Sequence, residues 1–211
     1  MMSEATVHVI DDDDEVRRAL VFLLASVGIE AQAHASANDF LTGFPRGSGG
    51  CIVTDVRMPE MTGIDLLKQL KHEDVRVPVI VMTGDGDIPL AVEAMKIGAL
   101  DFLEKPFDDE LFIMSVRRAL DMAKKAGRLD AERRCFRDRF ETLSGRERDV
   151  FNGLIAGHPN KIIAHLHGIS PKTVEVYRAN VMDKMKASSL SELVRMAMII
   201  NPPHEGDGKP A

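Results

Sequence analysis

Cys51-Ile-Val-Thr-Asp-Val-Arg-Met-Pro59 is a short β-branched and apolar run that ends on a carboxylate and is then broken by a proline. Such a run suits a strand over 51–54, with Asp55 at its carboxyl end. Four more runs of this kind stand around it, at 6–10 (TVHVI), 30–34, 79–82 and 101–103. Between them lie helix-length stretches such as 15–27 and 63–71. There Leu20, Leu23, Leu24 and Val27, and then Leu66, Leu67 and Leu70, recur at helical spacing. Residues 108–126 read as a fifth helix, with Leu111, Val116, Ala119 and Ala123 as its inner stripe. Alternating strands and helices imply parallel strands joined by right-handed crossovers, with helices on both faces. Five such units predict a small doubly wound α/β sheet over residues 1–123.

The alternation stops there. Residues 124–139 are much more polar and keep only a thin stripe of Leu129, Phe136, Phe140 and Leu143. The Gly, Ser and Pro content of a flexible linker is missing, so 124–141 is expected to be a helical linker. Helix starts then follow in quick succession. Ser144-Gly-Arg-Glu147 fits a capping box, in which the serine oxygen and the glutamate carboxylate each satisfy a free backbone N–H. Ser189-Leu-Ser-Glu192 repeats the pattern, and Ser170-Pro171 supplies a cap followed by proline at the first helical position. A small all-α domain of four helices is predicted over 142–200, and the Pro- and Gly-rich stretch 201–211 is expected to be disordered.

At 211 residues, 45% hydrophobic and 28% charged, the chain has the composition of an ordinary globular protein, and two small domains suit its length. No apolar run approaches the roughly twenty residues of a membrane helix. The first residues, MMSEATVHVI, lack the basic start and long apolar stretch of a signal peptide, so a cytoplasmic setting with ATP and Mg²⁺ is expected. Cys51 and Cys135 give neither a disulfide framework nor a zinc spacing. The net charge of −6 conceals an asymmetry. Residues 1–124 carry 22 Asp and Glu against 12 Lys and Arg, a charge of −10; residues 125–211 carry 11 against 15, a charge of +4. An acidic front suits a cation and a basic back suits a polyanion.

The polar residues of the first domain fall at one edge. Asp11 and Asp12 follow the first strand, Asp55 ends the third, Thr83 ends the fourth, and Lys105 follows the fifth just before Pro106. In an open parallel sheet, ligands sit beyond the carboxyl ends of the strands; in a flavodoxin-like order, strand two lies outermost and contributes nothing. Converging carboxylates repel each other and require a cation. Hard oxygen donors without Cys or His favour Mg²⁺, which suits phosphoryl transfer to a carboxylate, with Lys105 and the Thr83 hydroxyl placed to meet the new phosphoryl group. Asp13, Asp14 and Glu15 read instead as a helix start, where acids suit the dipole.

These residues resemble the response-regulator receiver family: Asp11-Asp12, Asp55 within Thr54-Asp-Val-Arg-Met-Pro59, Thr83-Gly84 and Lys105-Pro106 match in order, strand context and spacing over residues 5–123. The resemblance implies that a sensor histidine kinase phosphorylates Asp55. It implies that Asp12, Asp55 and the Arg57 carbonyl bind Mg²⁺ directly and that Asp11 acts through water. Phe102 stands at the family's aromatic switch position, where it moves with Thr83; as residues alone, it also reads as plain core. By the same resemblance, the surface with Val92 and Lys96 on the fourth helix becomes a homodimer interface after phosphorylation. Asp85 departs from the histidine expected beside Thr83 and bears on phosphoryl lifetime.

In the second domain, helices over 160–165 and 170–186, separated by Leu166-His-Gly-Ile169, make a helix-turn-helix pattern. Val174, Val181 and Met185 line the inner side of the second helix. Lys172, Glu175, Val176 and Ala179 lie opposite, with Arg178, Lys184 and Lys186 at the flanks. That composition suits a helix entering the major groove, and it also suits an ordinary amphipathic core helix. His165 and His167 bracket the turn without a third metal ligand nearby. Leu143-Ser-Gly-Arg-Glu147, Gly157, Asn160-Lys161, Ile163-Ala164, Ile169-Ser170 and Thr173-Val174 are similar to the LuxR/NarL-type output domain. Val176-Tyr-Arg-Ala-Asn-Val181 and 189–196, with Asp87-Ile-Pro-Leu-Ala-Val-Glu-Ala-Met95 in the first domain, resemble its FixJ branch; His158-Pro159 before the first of the two helices departs from it. This resemblance implies a transcription regulator that binds double-stranded DNA through Lys161, Lys172, Thr173, Glu175, Val176, Arg178, Ala179 and Asn180, with RNA polymerase as a further partner. A DNA-binding regulator that uses the receiver as a phosphate-independent interaction module is the alternative. A hydrolytic output is disfavoured, because 145–200 offers no nucleophile with a base, no metal cluster and no Gly-rich loop.

Overall fold

The computed structural model describes residues 5–44, 49–84 and 88–200. The chain divides into two compact units, Met1–Gly127 and Arg128–Ala211. Five parallel strands, β1 (Thr6–Ile10), β2 (Ala31–His34), β3 (Gly50–Asp55), β4 (Val79–Gly84) and β5 (Asp101–Lys105), form one sheet in the order β2-β1-β3-β4-β5. The expected flavodoxin-like doubly wound sheet is present, with β2 at its edge. Between the strands run α1 (Asp14–Ser26), α2 (Ala37–Gly43), α3 (Gly63–His72) and α4 (Ile88–Ile97), and α5 (Asp109–Glu141) follows β5.

Strand alternation sorts the core into two layers. Val7, Val9, Cys51, Val53, Ile80 and Met82 point to the side of α1 and α5, against Leu20, Leu24, Phe112 and Val116. Ile10, Ile52 and Val81 point the other way, against Phe40 of α2, Leu66 and Leu70 of α3 and Ala94 of α4. One expected core residue is misplaced. Leu111 is 44% exposed, whereas Phe112 is fully buried. The inner stripe is Phe112, Val116, Ala119 and Ala123, all with the spacing of one helix face, and Leu111 stands a residue out of phase with it. At the start of α1, Asp13 is the N-cap, its carboxylate accepting from the N–H groups of Glu15 and Val16. Cys51 lies inside β3, where burial pushes its thiol up to about 12, while Cys135 on α5 is exposed.

A buried histidine pair stitches the sheet edge. His8 Nδ1 on β1 lies 3.1 Å from His34 Nε2 on β2, and His34 Nδ1 lies 3.4 Å from an Asp39 carboxylate oxygen on α2. Phe40 and Phe44 meet the His8 ring edge-on at 5.2 and 5.4 Å. Burial, and then the charge of His34, hold the His8 pKa down from 6.5 to about 4.

In the second unit, α6 (Gly145–Ile155), α7 (Asn160–His167), α8 (Pro171–Met185) and α9 (Leu190–Ile200) pack around Val150, Phe151, Leu154, Ile163, Val174, Val181, Met185 and Leu193. The four expected helices are all present. The polar stretch 124–139 is also helical, as part of α5, and Phe136 from it is buried in the core of this second unit. The capping box of Ser144 and Glu147 is complete. The one expected at Ser189 is half formed: Ser189 Oγ accepts from the Glu192 N–H, but the Glu192 carboxylate turns back to the N–H and hydroxyl of Ser188. α7 runs two residues beyond its expected end and stops at Gly168, where φ is 62°. Only glycine adopts that left-handed conformation at little cost, so the turn begins there rather than at Leu166. The expected disorder of 201–211 and the role given to Asp85 lie outside the described residues.

The His8 pKa sets a pH dependence. With the folded value depressed, the unfolded chain takes up the proton first as the pH falls. Stability present above about pH 6.5 is therefore lost progressively down to about pH 4, on the order of 2–3 kcal/mol. Denaturant titrations across this window are expected to show a shallower decline for His8→Leu than for the parent chain, and an equal decline would refute the assignment.

Candidate functional site

The carboxyl edge of the sheet gathers Asp11, Asp55, Thr83 and Lys105. Asp55 ends β3, which is buried along its whole length, and Asp11 directly follows β1. Both carboxylates are buried, at 7% and 1% exposure. Lys105, at the end of β5, reaches between them: its Nζ lies 2.6 Å from Asp55 Oδ1 and 2.7 Å from Asp11 Oδ2. The peptide bond from Lys105 to Pro106 is cis. The second oxygen of each carboxylate takes a backbone donor, Asp11 Oδ1 from Asp13 at 2.9 Å and Asp55 Oδ2 from Arg57 at 2.7 Å. Burial opposes the charge on Lys105, but hydrogen bonds and charges from Asp11 and Asp55 outweigh it and hold its pKa above the ordinary lysine value. The ammonium is therefore present at neutral pH.

Two buried carboxylates against one ammonium leave the pocket one positive charge short. Asp12 stands beside them, solvent-exposed. The three carboxylates expected from the sequence are thus two buried and one at the rim. Among the described residues, no three His, Cys, Asp or Glu side chains form a metal cage. Mg²⁺ keeps several waters and takes only one or two carboxylates, so this donor set fits it.

Thr83 is buried at the end of β4, and its hydroxyl donates at 3.2 Å to the Gly84 carbonyl. Phe102 pairs with Val81 across β4 and β5 and is half-buried against the α2–α4 layer. Sequence reasoning missed Gly63. It opens α3 at the back of β3, its N–H donating to the Val56 carbonyl at 3.0 Å, and a Cβ there would collide with the Asp55 carbonyl oxygen. A Thr-Gly pair before a helix was the available signal. On α4, Val92, Met95 and Lys96 are exposed and form a largely apolar strip, while Ala94 is buried beneath.

On the second unit, Lys161 of α7 and Lys172, Glu175, Val176, Ala179 and Asn180 of α8 are exposed on the helix surface, with Val174, Val181 and Met185 fully buried behind them. Thr173 is half-buried and belongs to the cap: its N–H donates to Ser170 Oγ at 3.0 Å. Arg178 is half-buried, turned to Asn160 Oδ1 at 3.5 Å. Glu175 has no ion pair with Arg178 or with any other of the described residues. Lys184, expected at the flank of the reading face, instead donates to Glu147 Oε2 at 2.7 Å. Lys186 is the C-cap of α8 and pairs with Asp183. His167 faces Asp149 at 3.6 Å, and His165 is exposed.

A family model described as response regulator receiver domain matches residues 7–117, and one described as bacterial regulatory proteins, luxR family, matches residues 141–197. The chain belongs to the response regulators that join a receiver to a luxR-family DNA-binding domain. Within that family it is of FixJ type. It is 53% identical over 210 residues to transcriptional regulatory protein FixJ of Azorhizobium caulinodans, covering 100% of both chains. It is 50% identical over 198 residues to FixJ of Bradyrhizobium diazoefficiens, covering 94% of this chain and 97% of the relative. Among solved structures, response regulator StyR aligns with a TM-score of 0.84 at 37% identity, covering 92% of this chain and 98% of that one. Full-length FixJ from B. japonicum aligns with a TM-score of 0.57 at 50% identity, covering 93% and 97%.

Removing the Lys105 ammonium strands two buried carboxylates. Lys105→Met is expected to destabilise the receiver at pH 7 by on the order of 2–3 kcal/mol, less than a fully buried pair because the lysine is partly solvated. Adding Asp55→Asn removes one of the opposed charges and is expected to recover part of the loss. Chemical denaturation of the three chains decides; a Lys105→Met protein as stable as its parent would contradict the electrostatic account.

Proposed function

We propose that this chain is a transcription regulator switched by phosphorylation of Asp55, and the observation that carries the reading is the Lys105 ammonium held between buried Asp11 and Asp55 at the sheet edge. The Asp55 carboxylate attacks the phosphorus of a phosphohistidine on a sensor kinase. The P–N bond breaks, the imidazole leaves, and an acyl phosphate remains on Asp55. Asp11, Asp12, Asp55 and the Arg57 carbonyl would hold Mg²⁺. When bound, this ion neutralises phosphoryl oxygens. Lys105, already within hydrogen-bond distance of Asp55, pairs with the phosphoryl group and keeps its place. Gaining and losing that group is the only catalysis assigned to the chain.

A phosphoryl group brings about −1.5 to −2 charges into the pocket. The Thr83 hydroxyl, held at 3.2 Å by its neighbouring carbonyl, exchanges that acceptor for a phosphoryl oxygen, and Phe102 follows into the vacated space. The exposed strip of Val92 and Lys96 then becomes the interface of a homodimer. A dimer presents two reader helices to two half-sites of double-stranded DNA, from which RNA polymerase is engaged. The setting is the cytoplasm; no helix among the described residues is long and apolar enough to cross a membrane.

Intact-mass measurement with Mg²⁺ and a small phosphodonor tests the switch. The parent chain and Asp13→Asn are expected to gain a phosphoryl adduct and to sediment as dimers afterwards. Asp55→Asn gains none, and Val92→Asp gains the adduct but stays monomeric. An adduct on Asp55→Asn, or a stable dimer before phosphorylation, would sink the reading.

On α8, Lys172 is an exposed cation in the first turn, suited to a phosphate, while Glu175 is an exposed anion with no ion pair among the described residues, suited to a cytosine amino group. Val176 can meet a thymine methyl. Lys172→Ala is expected to weaken all sequences alike and to shallow the salt dependence by about one unit of slope. Glu175→Ala is expected to change discrimination at one base pair by roughly 1–3 kcal/mol. Titrations on single-base variants of a selected duplex at several salt concentrations separate the two, and an unchanged preference profile removes Glu175 from the reading set.

A further inference from the structure

The far end of the reader helix is gripped. Lys184, in the last turn of α8, donates to Glu147 Oε2 at 2.7 Å and reaches the Thr142 carbonyl at 3.4 Å. Beside it, the Arg139 guanidinium donates to the Met185 carbonyl at 3.1 Å and lies 5.9 Å from the Phe136 ring centroid. Glu147 is buried, and the same Oε2 accepts the Ser144 N–H at 2.8 Å as half of the α6 capping box.

Capping does not account for a carboxylate here. A glutamine oxygen accepts from the N-cap N–H equally well, and a buried charge is costly unless it is paired. The charge is explained by Lys184, which ties the last turn of α8 to the first turn of α6. The outward residues Lys172, Glu175 and Val176 lie in the half of α8 away from Lys184, with Ala179 just past its middle. Lys172 stands twelve residues from Lys184, a rise of about 18 Å. A tilt of about 5° at the gripped end therefore shifts Lys172 by roughly 1.6 Å, enough to break hydrogen-bond geometry at a base edge.

We infer that Glu147 and Lys184 are positioning residues for DNA reading: their ion pair fixes the angle at which α8 presents its outward residues, beyond the role of Glu147 in capping α6. This rests on the proposal that α8 reads DNA. Lys184 thereby leaves the set of phosphate-contacting cations and acts through α8.

The full-length parent chain, phosphorylated with Mg²⁺ and a small phosphodonor and kept so throughout, is first used to enrich a duplex from random-sequence DNA. Affinity for that duplex and for a scrambled duplex of equal length, the salt dependence, and thermal unfolding are then measured for Glu147→Gln, Lys184→Met and Lys184→Arg. Glu147→Gln keeps a capping oxygen and Lys184→Arg keeps the cation. Glu147→Gln and Lys184→Met are expected to weaken the enriched duplex roughly tenfold, the scale of one charge-assisted hydrogen bond, with the scrambled duplex changed by less than about twofold and an unaltered salt slope. Lys184→Arg is expected to retain the parent's discrimination. An unchanged ratio of enriched to scrambled affinity in Glu147→Gln, with or without a lower unfolding temperature, overturns the inference and leaves the pair merely structural. Equal weakening on both duplexes with a slope shallower by about one unit in Lys184→Met overturns it as well, since that is the signature of a phosphate contact. A phosphorylated parent chain that enriches no sequence overturns the DNA-reading proposal and this inference with it.

Discussion

One ammonium shared by two buried carboxylates sets the conditions for the receiver. Asp11 follows β1 and Asp55 ends the neighbouring β3, and Lys105 comes from β5 at the far side of β4. Only a parallel sheet with this strand order brings the three ends to one edge. The long apolar side chains beneath serve that arrangement: β3 is buried on both faces, so the residue that ends it cannot drift. Close packing extends to the back of Asp55, where Gly63 lets α3 begin against the Asp55 carbonyl. Lys105 neutralises one of the two carboxylate charges, and the proposed binding of a hydrated divalent cation and of a phosphoryl group rests on the charge left over.

The second unit is organised by a different economy. It contains no strand among its described residues and builds its core from four short helices and the end of α5, with Phe136 supplying a buried aromatic from an otherwise polar stretch. Helix ends are where its polar chemistry lies. Ser144, Ser170 and Ser189 each accept a backbone donor at a helix start, Gly168 ends α7, and Arg139 and Lys184 hold the last turn of α8. Such end contacts contribute modestly one by one, yet they fix helix directions, which matter for a surface that must match a groove.

What the sequence discloses and what it hides follow from the range of the interactions. β-Branched runs, helical stripes and Ser-x-x-Glu signatures are local, and Asp11, Asp55, Thr83 and Lys105 could be placed because a parallel sheet aligns its strand ends by rule. Leu111 and Phe112 are adjacent apolar residues, and which one faces inward depends on the phase at which α5 packs, a tertiary matter. Lys184 looks like another cation on a reading face until Glu147, 37 residues earlier, is seen to take its ammonium. Arg178 meets Asn160 only once α7 and α8 are packed together, and His8 finds His34 only once β1 and β2 lie side by side. Gly63 gave a weak sign because a glycine at a helix start is compatible with many backgrounds; the obligation comes from the carbonyl pressed against it.

The two cysteines differ in a way that has practical reach. Cys51 is sealed within the sheet, its thiol held at about 12, whereas Cys135 stands exposed on α5 among residues that pack with the second unit. A thiolate is the reacting species, so a maleimide or spin-label reagent at neutral pH is denied Cys51 both by burial and by its raised pKa, and reaches the exposed Cys135. The natural chain therefore carries a single addressable handle near its DNA-binding half. Fluorescence or paramagnetic measurements on that half need no prior cysteine engineering, and the receiver's sheet stays chemically silent while they are made.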